Sequence, residues 1–106
     1  MEKIVTAEQF VDFTGQEGLT VVKYTASWCP DCRNLDRFIG DVAADYPQAK
    51  WAELDVDQLP DIAEENEVRG IPSLLVYQKG QKIGHLHSKF AKTPEQVREY
   101  LQSVIK

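Results

Sequence analysis

The sequence predicts an α/β domain of three layers, with helices on both faces of a central mixed five-stranded sheet. Two observations carry that prediction. Short runs of β-branched and aromatic residues alternate with apolar stripes at helical spacing, in the order β-α-β-α-β-α-β-β-α. The last two strands are separated only by Lys79-Gly80, so parallel pairing comes first and an antiparallel pair last. A chain of 106 residues suits one such domain, residues 1–106, and not two that each bury a core.

Thr6 and Gln9 have the spacing of a capping box, and Phe10, Val11 and Phe13 give the first helix its apolar side before Gly15 and Gly18 end it. "LTVVKYTAS", Leu19 to Ser27, reads as a buried strand with one misplaced charge, Lys23. From Cys29 to about Tyr46, Leu35, Phe38, Ile39, Val42, Ala43 and Tyr46 recur at helical spacing until Pro47 stops them. The strand "KWAELDVD" and a short helix from Pro60 through "DIAEEN" follow, with Trp51 read as a packing residue and Glu64 to Glu67 as a wet helix face. After Gly70-Ile71-Pro72, "SLLVYQKGQKIGHLH" folds into a hairpin turning at Lys79-Gly80. Thr93, Pro94 and Gln96 then open a last helix whose buried stripe is Val97, Leu101, Val104 and Ile105.

Composition excludes several functions. Hydrophobic residues at 42% and charged residues at 27% fit a folded soluble domain and argue against disorder. A net charge of -5 without a run of Lys and Arg disfavours nucleic acid and anionic membranes as partners. No apolar run approaches the roughly 20 residues of a membrane span, and "MEKIVTAEQF" lacks the pattern of an export signal. The expected address is cytoplasmic. Thiols are kept reduced there, so the two cysteines, Cys29 and Cys32, are expected to be catalytic or metal-binding. A bridge between them closes too short a loop to act as a staple.

Their context gives the spacing its meaning. With Cys29 as the N-cap of a helix, Pro30 falls at N1, where its missing N–H costs nothing, Asp31 at N2 and Cys32 at N3. Pro30 also pushes Cys29 toward the extended conformation an N-cap needs. A sulfur there meets the unpaired N–H groups and positive end of the helix, which favours its thiolate. Cys29 is the expected nucleophile and Cys32 the resolving thiol. Asp31 opposes: its carboxylate disfavours the thiolate and should make the dithiol a stronger reductant, unless it only serves the helix start.

On W-C-x-x-C after a strand, "VRGIPSLLVYQKG" and the order of elements, the whole chain resembles the thioredoxin family. "WCPDC", in place of the usual Trp-Cys-Gly-Pro-Cys, is similar to small bacterial thioredoxin-like proteins and eukaryotic thioredoxin-related proteins with that motif. The resemblance implies a thioredoxin fold and a thiol-disulfide oxidoreductase that reduces disulfide-containing client proteins, is recharged by a flavin-dependent thioredoxin reductase and holds no organic cofactor. It also implies that Pro72 is a cis-proline facing the cysteines, that Ile71 offers its backbone to a docked client strand, and that Trp28 forms the rim of the docking surface.

The chain departs from the family twice. Lys23 stands where an aspartate is usual, and Glu53 where a lysine is usual. The expectation is a charge pair kept but reversed, with Glu53 or a neutral Lys23 relaying the proton that Cys32 must lose; a snorkelling Lys23 and a solvated Glu53 are the alternative. Ser88 and Lys89 replace glycine and a small residue, which would narrow the docking surface and shift the clients toward smaller or acidic disulfides. Reduction of low-molecular-weight disulfides or nitrosothiols is a second reading. A third is a module without catalysis, either an adaptor or a zinc site built from the two cysteines with His85 and His87, whose alternation points both imidazoles to one face.

Overall fold

In the computed structural model, which describes residues 1–105, the chain runs β1 (Glu2–Ile4), α1 (Ala7–Thr14), β2 (Leu19–Thr25), α2 (Pro30–Ala44), β3 (Ala49–Asp55), α3 (Pro60–Glu65), β4 (Ser73–Gln78), β5 (Gln81–Leu86) and α4 (Pro94–Val104). The strands form one sheet in the order β1-β3-β2-β4-β5. β1 and β2 lie parallel to β3, while β4 runs antiparallel to both β2 and β5, so β4 reverses direction one strand earlier than the hairpin alone required.

Alternation along the central strands explains their unbroken apolar sequence. Val21, Leu74 and Val76 pack with Leu35, Ile39, Val42, Val97 and Leu101 under α2 and α4. Val22, Tyr24, Leu75 and Tyr77 point the other way, onto Ile4, Phe13, Leu54 and Ile62 beside α1 and α3. A strand covered on both faces has no room for a polar residue in either phase. Among the described residues Lys23 is the buried charge in these strands, in register with Glu53 on β3 and Leu74 on β4.

Sheet order also sets the site. Because β4 is antiparallel to β2, it begins where β2 ends: Ser73 is the partner of Tyr24, which brings Pro72 beside the start of α2. β3 ends level with β2, Asp55 opposite Thr25. The strand stops there, two residues before the sequence suggested, because the Asp55 carboxylate accepts the N–H of Asp57 at 2.8 Å and turns the chain. α2 likewise ends at Ala44, short of Tyr46. β1 is only three residues long and has no bounds legible in the sequence pattern, and the 3-10 turn over Ser88–Phe90 has no sign there either.

At the hairpin tip, Lys79 and Gly80 both adopt positive φ, 54° and 80°, in a two-residue turn of type I′. The tip is tied down, since the N–H groups of Lys79 and Gly80 donate to Gln16 and Thr14 carbonyls, each at 2.9 Å.

One polar chain crosses the α3 face. The Asn66 amide donates to the Ile62 carbonyl at 2.8 Å, which turns its oxygen to accept the Tyr77 hydroxyl at 2.9 Å. The Tyr24 hydroxyl, 2.7 Å from that of Tyr77, is left to donate to it. Asn66, read in the sequence as part of a wet face, is therefore a structural residue. Burial holds both phenols above their ordinary pKa, so they stay protonated. Tyr77→Phe should cost about 1–3 kcal/mol in denaturant unfolding, because it strands the buried Tyr24 hydroxyl, whereas Tyr24→Phe should cost about 1 kcal/mol, since Tyr77 keeps Asn66. Equal losses would show that the chain does not run in this direction.

Candidate active site

The helix that carries both cysteines starts as the sequence pattern requires. Cys29 is the N-cap of α2 with φ -92° and ψ 111°, Pro30 opens the first turn and Asp31 is its acid. The N–H of Cys32 donates to Cys29 Sγ at 3.1 Å, so the sulfur takes the place a serine oxygen holds at other helix starts. Cys29 and Cys32 are joined in a disulfide, their Cα atoms 5.2 Å apart. Both are buried and form a small cluster with Ala26, flanked by Val56 and Ile71.

Three loops converge on this pair. The Ile71–Pro72 peptide is cis, and the Ile71 carbonyl oxygen lies 3.8 Å from Cys29 Sγ. Ser73 fixes the same loop by donating its hydroxyl to the Gly70 carbonyl at 2.6 Å. Trp28, 62% exposed, stands on the rim, and its indole N–H donates to the Asp57 carboxylate at 2.8 Å. Asp57 lies on the loop after β3, and only the parallel pairing of β2 with β3 brings it there. Ser88 packs against Gly70 so closely that a Cβ on that glycine would sit 2.8 Å from Ser88 Oγ. Lys89 turns its ammonium over the Phe90 ring, 5.0 Å from the centroid.

The structure adds charges that the sequence did not connect. Lys92, before α4, puts its ammonium 3.3 Å from the Asp31 carboxylate. Both side chains are more than half exposed, so the pair is weak, yet it offsets part of the negative field that Asp31 sets beside the sulfurs. Lys23 does not snorkel: it is 4% exposed and pairs directly with Asp36, with Glu53 3.9 Å away. The expected reversed pair with Glu53 is thus the longer of two contacts. Asp36 was missed because its partner lies on another element, although its place one helical turn after Cys32 is visible in the sequence. Cys32, Arg33, Asp36, Glu53 and Asp55 line a cleft of about 280 Å³ that opens behind the disulfide.

The histidines take no part in this site. His85 and His87 do share a face, their rings stacked with centroids 3.9 Å apart. Among the described residues no group of three or more His, Cys, Asp or Glu side chains is placed to hold a metal ion. No described helix is long and apolar enough to cross a membrane.

Known proteins match this arrangement. The family model described as Thioredoxin matches residues 2–103. Thioredoxin-1 of Saccharomyces cerevisiae is 38% identical over 78 residues, 74% of this chain and 76% of that protein. Human thioredoxin is 32% identical over 84 residues, 79% of each. The crystal structure of thioredoxin from Trypanosoma brucei brucei superposes with a TM-score of 0.85 at 27% identity, covering 97% of this chain and 88% of that one. A cysteine-capped helix, a five-stranded mixed sheet and relatives of this kind lead to one conclusion: the chain belongs to the thioredoxin family and is a thiol-disulfide oxidoreductase.

Proposed function

We propose that Cys29 and Cys32 reduce disulfides of client proteins, with Cys29 as the attacking sulfur. The observation that carries this reading is the 3.1 Å hydrogen bond from the Cys32 N–H to Cys29 Sγ at the helix N-cap, which favours negative charge on that sulfur. The Cys29 thiolate attacks one client sulfur, forms a mixed disulfide and releases the other client sulfur as a thiolate. Cys32 then loses its proton, attacks Cys29 Sγ, frees the second client sulfur and leaves the Cys29–Cys32 bond. Two electrons pass to the client. A flavin-dependent thioredoxin reductase returns them, and a compartment kept reducing, such as the cytoplasm, suits the cycle.

Around this chemistry the client strand pairs with the backbone of Ile71 beside cis-Pro72, while Trp28 and Ser88 bound the docking surface. Pro30 starts the helix, and Asp31, partly offset by Lys92, tunes the thiolate. Cys32 is 2% exposed, so its proton needs an acceptor within the cleft behind it. Lys23 is paired with Asp36 and lies 3.9 Å from Glu53, so it holds both carboxylates in position. We assign the acceptor to Asp36 or Glu53, which line the cleft with Cys32.

Insulin-disulfide reduction with dithiothreitol as electron source tests the main reading: Cys29→Ser should abolish activity and Cys32→Ser should trap the mixed disulfide. Full turnover by Cys29→Ser would end the proposal. Low-molecular-weight disulfides as preferred substrates would instead appear as a higher kcat/KM than for insulin.

The relay has its own test. In rapid-mixing experiments the Asp36→Asn, Glu53→Gln double variant should resolve its mixed disulfide about 100-fold more slowly at neutral pH, with the rate recovering as pH rises and hydroxide takes over as base. An unchanged resolving rate would exclude both carboxylates.

A further inference from the structure

Beside the docking loop lies a concavity of about 310 Å³ lined by Glu67, Arg69, Lys82, His85 and His87. His85 is the register partner of Leu75, a core residue of the α1 and α3 face, so the pocket opens on that side of edge strand β5. The chain connects it to the active site at two points. Arg69 is two residues from Ile71, whose carbonyl oxygen is 3.8 Å from Cys29 Sγ. His87 precedes Ser88, which touches Gly70.

The lining is cationic in a chain of net charge -5. Lys82 is fully engaged: it donates to the Asn66 carbonyl at 2.9 Å, contacts His85 Nδ1 at 3.3 Å and offsets Glu67 at 3.7 Å. An ammonium has only protons to offer, so Nδ1 of His85 is the acceptor and its ring is neutral. Burial, with the adjacent His87 and Lys82, lowers the His85 pKa to about 4, consistent with that assignment. Arg69 remains. It is exposed and takes part in none of the ion pairs among the described residues. One free guanidinium at the mouth of a pocket whose only acid is already paired selects for a carboxylate.

We propose that this pocket is a specificity subsite that receives an acidic side chain of the client, two or three residues along the strand from the attacked cysteine. The spacing is part of the proposal: a client strand paired at Ile71 advances about 3.3 Å per residue, and Arg69 lies two residues before Ile71, ahead of the bend at Gly70, Ile71 and Pro72. Arg69 is the charged partner of the carboxylate, His87 forms the rim, and Lys82 cancels the repulsion that Glu67 would exert. The proposal rests on the Cys29 and Ile71 reading above and adds the class of client that this site prefers.

Two disulfide-bonded peptides that differ only in Glu or Gln at the third residue from the attacked cysteine provide the test. At low ionic strength the wild type should favour the Glu peptide about fivefold in kcat/KM, the size expected of one partly exposed ion pair. In Arg69→Gln that ratio should fall to near one, in Glu67→Gln it should rise, and in about 0.5 M salt it should fade for every variant. Equal kcat/KM for the two wild-type reactions, or a preference that survives Arg69→Gln, would overturn the subsite. Reduction of neither peptide by the wild type would overturn the dithiol reading beneath it, and the subsite with it.

Discussion

Strand β2 ends in the middle of the sheet and helix α2 begins five residues later, with free backbone donors that need an acceptor. The acceptor is Cys29 Sγ, and the rest of the site depends on that substitution of sulfur for oxygen. It fixes the first cysteine in an extended conformation, one helical turn from the second, and turns the positive end of α2 onto a group whose reactivity depends on its charge. Pro30 supports this start without competing for the sulfur, since it has no N–H. The local rule that begins a helix and the rule that activates a thiol are satisfied by the same contact.

The charges behind the disulfide follow a different logic. A lysine in a strand covered on both faces is costly by itself, and the fold answers with two carboxylates from different elements, Asp36 on α2 and Glu53 on β3. Both acids are more exposed than the lysine, with side-chain accessibilities of 49% and 30% against 5%. The cluster is therefore a buried cation reached from solvent through acids. It puts negative charge, rather than an apolar wall, along the cleft that Cys32 faces.

Local chemistry made much of this legible in the sequence. Capping boxes at Thr6 and Thr93, Pro30 before Asp31, and Lys79-Gly80 between apolar runs each act within a few residues, and each formed as read. The Cys29 N-cap was legible for the same reason. Contacts set by sheet order were not. Asp57 reaches Trp28, Lys92 reaches Asp31 and Asp36 reaches Lys23 only after β2, β3, β4 and α4 take their places, and nothing in the periodicity of one segment encodes which distant charge will arrive. Lys23 and Glu53 lie between these cases. Their types announced a pair, but the directly bonded partner proved to be on the helix rather than the neighbouring strand.

The tip of the β4–β5 hairpin is remote from the cysteines in function, yet its two turn amides are bonded to the end of α1. Residues 14 and 80 are thereby joined across most of the chain. A hairpin closed by a two-residue turn would ordinarily open and close on its own, as a local unit. Here the amide protons of Lys79 and Gly80 can exchange with solvent only when the end of α1 lifts from the sheet. The first helix and the last hairpin thus belong to one opening unit, and the amides of the turn record how firmly the N-terminal segment is held.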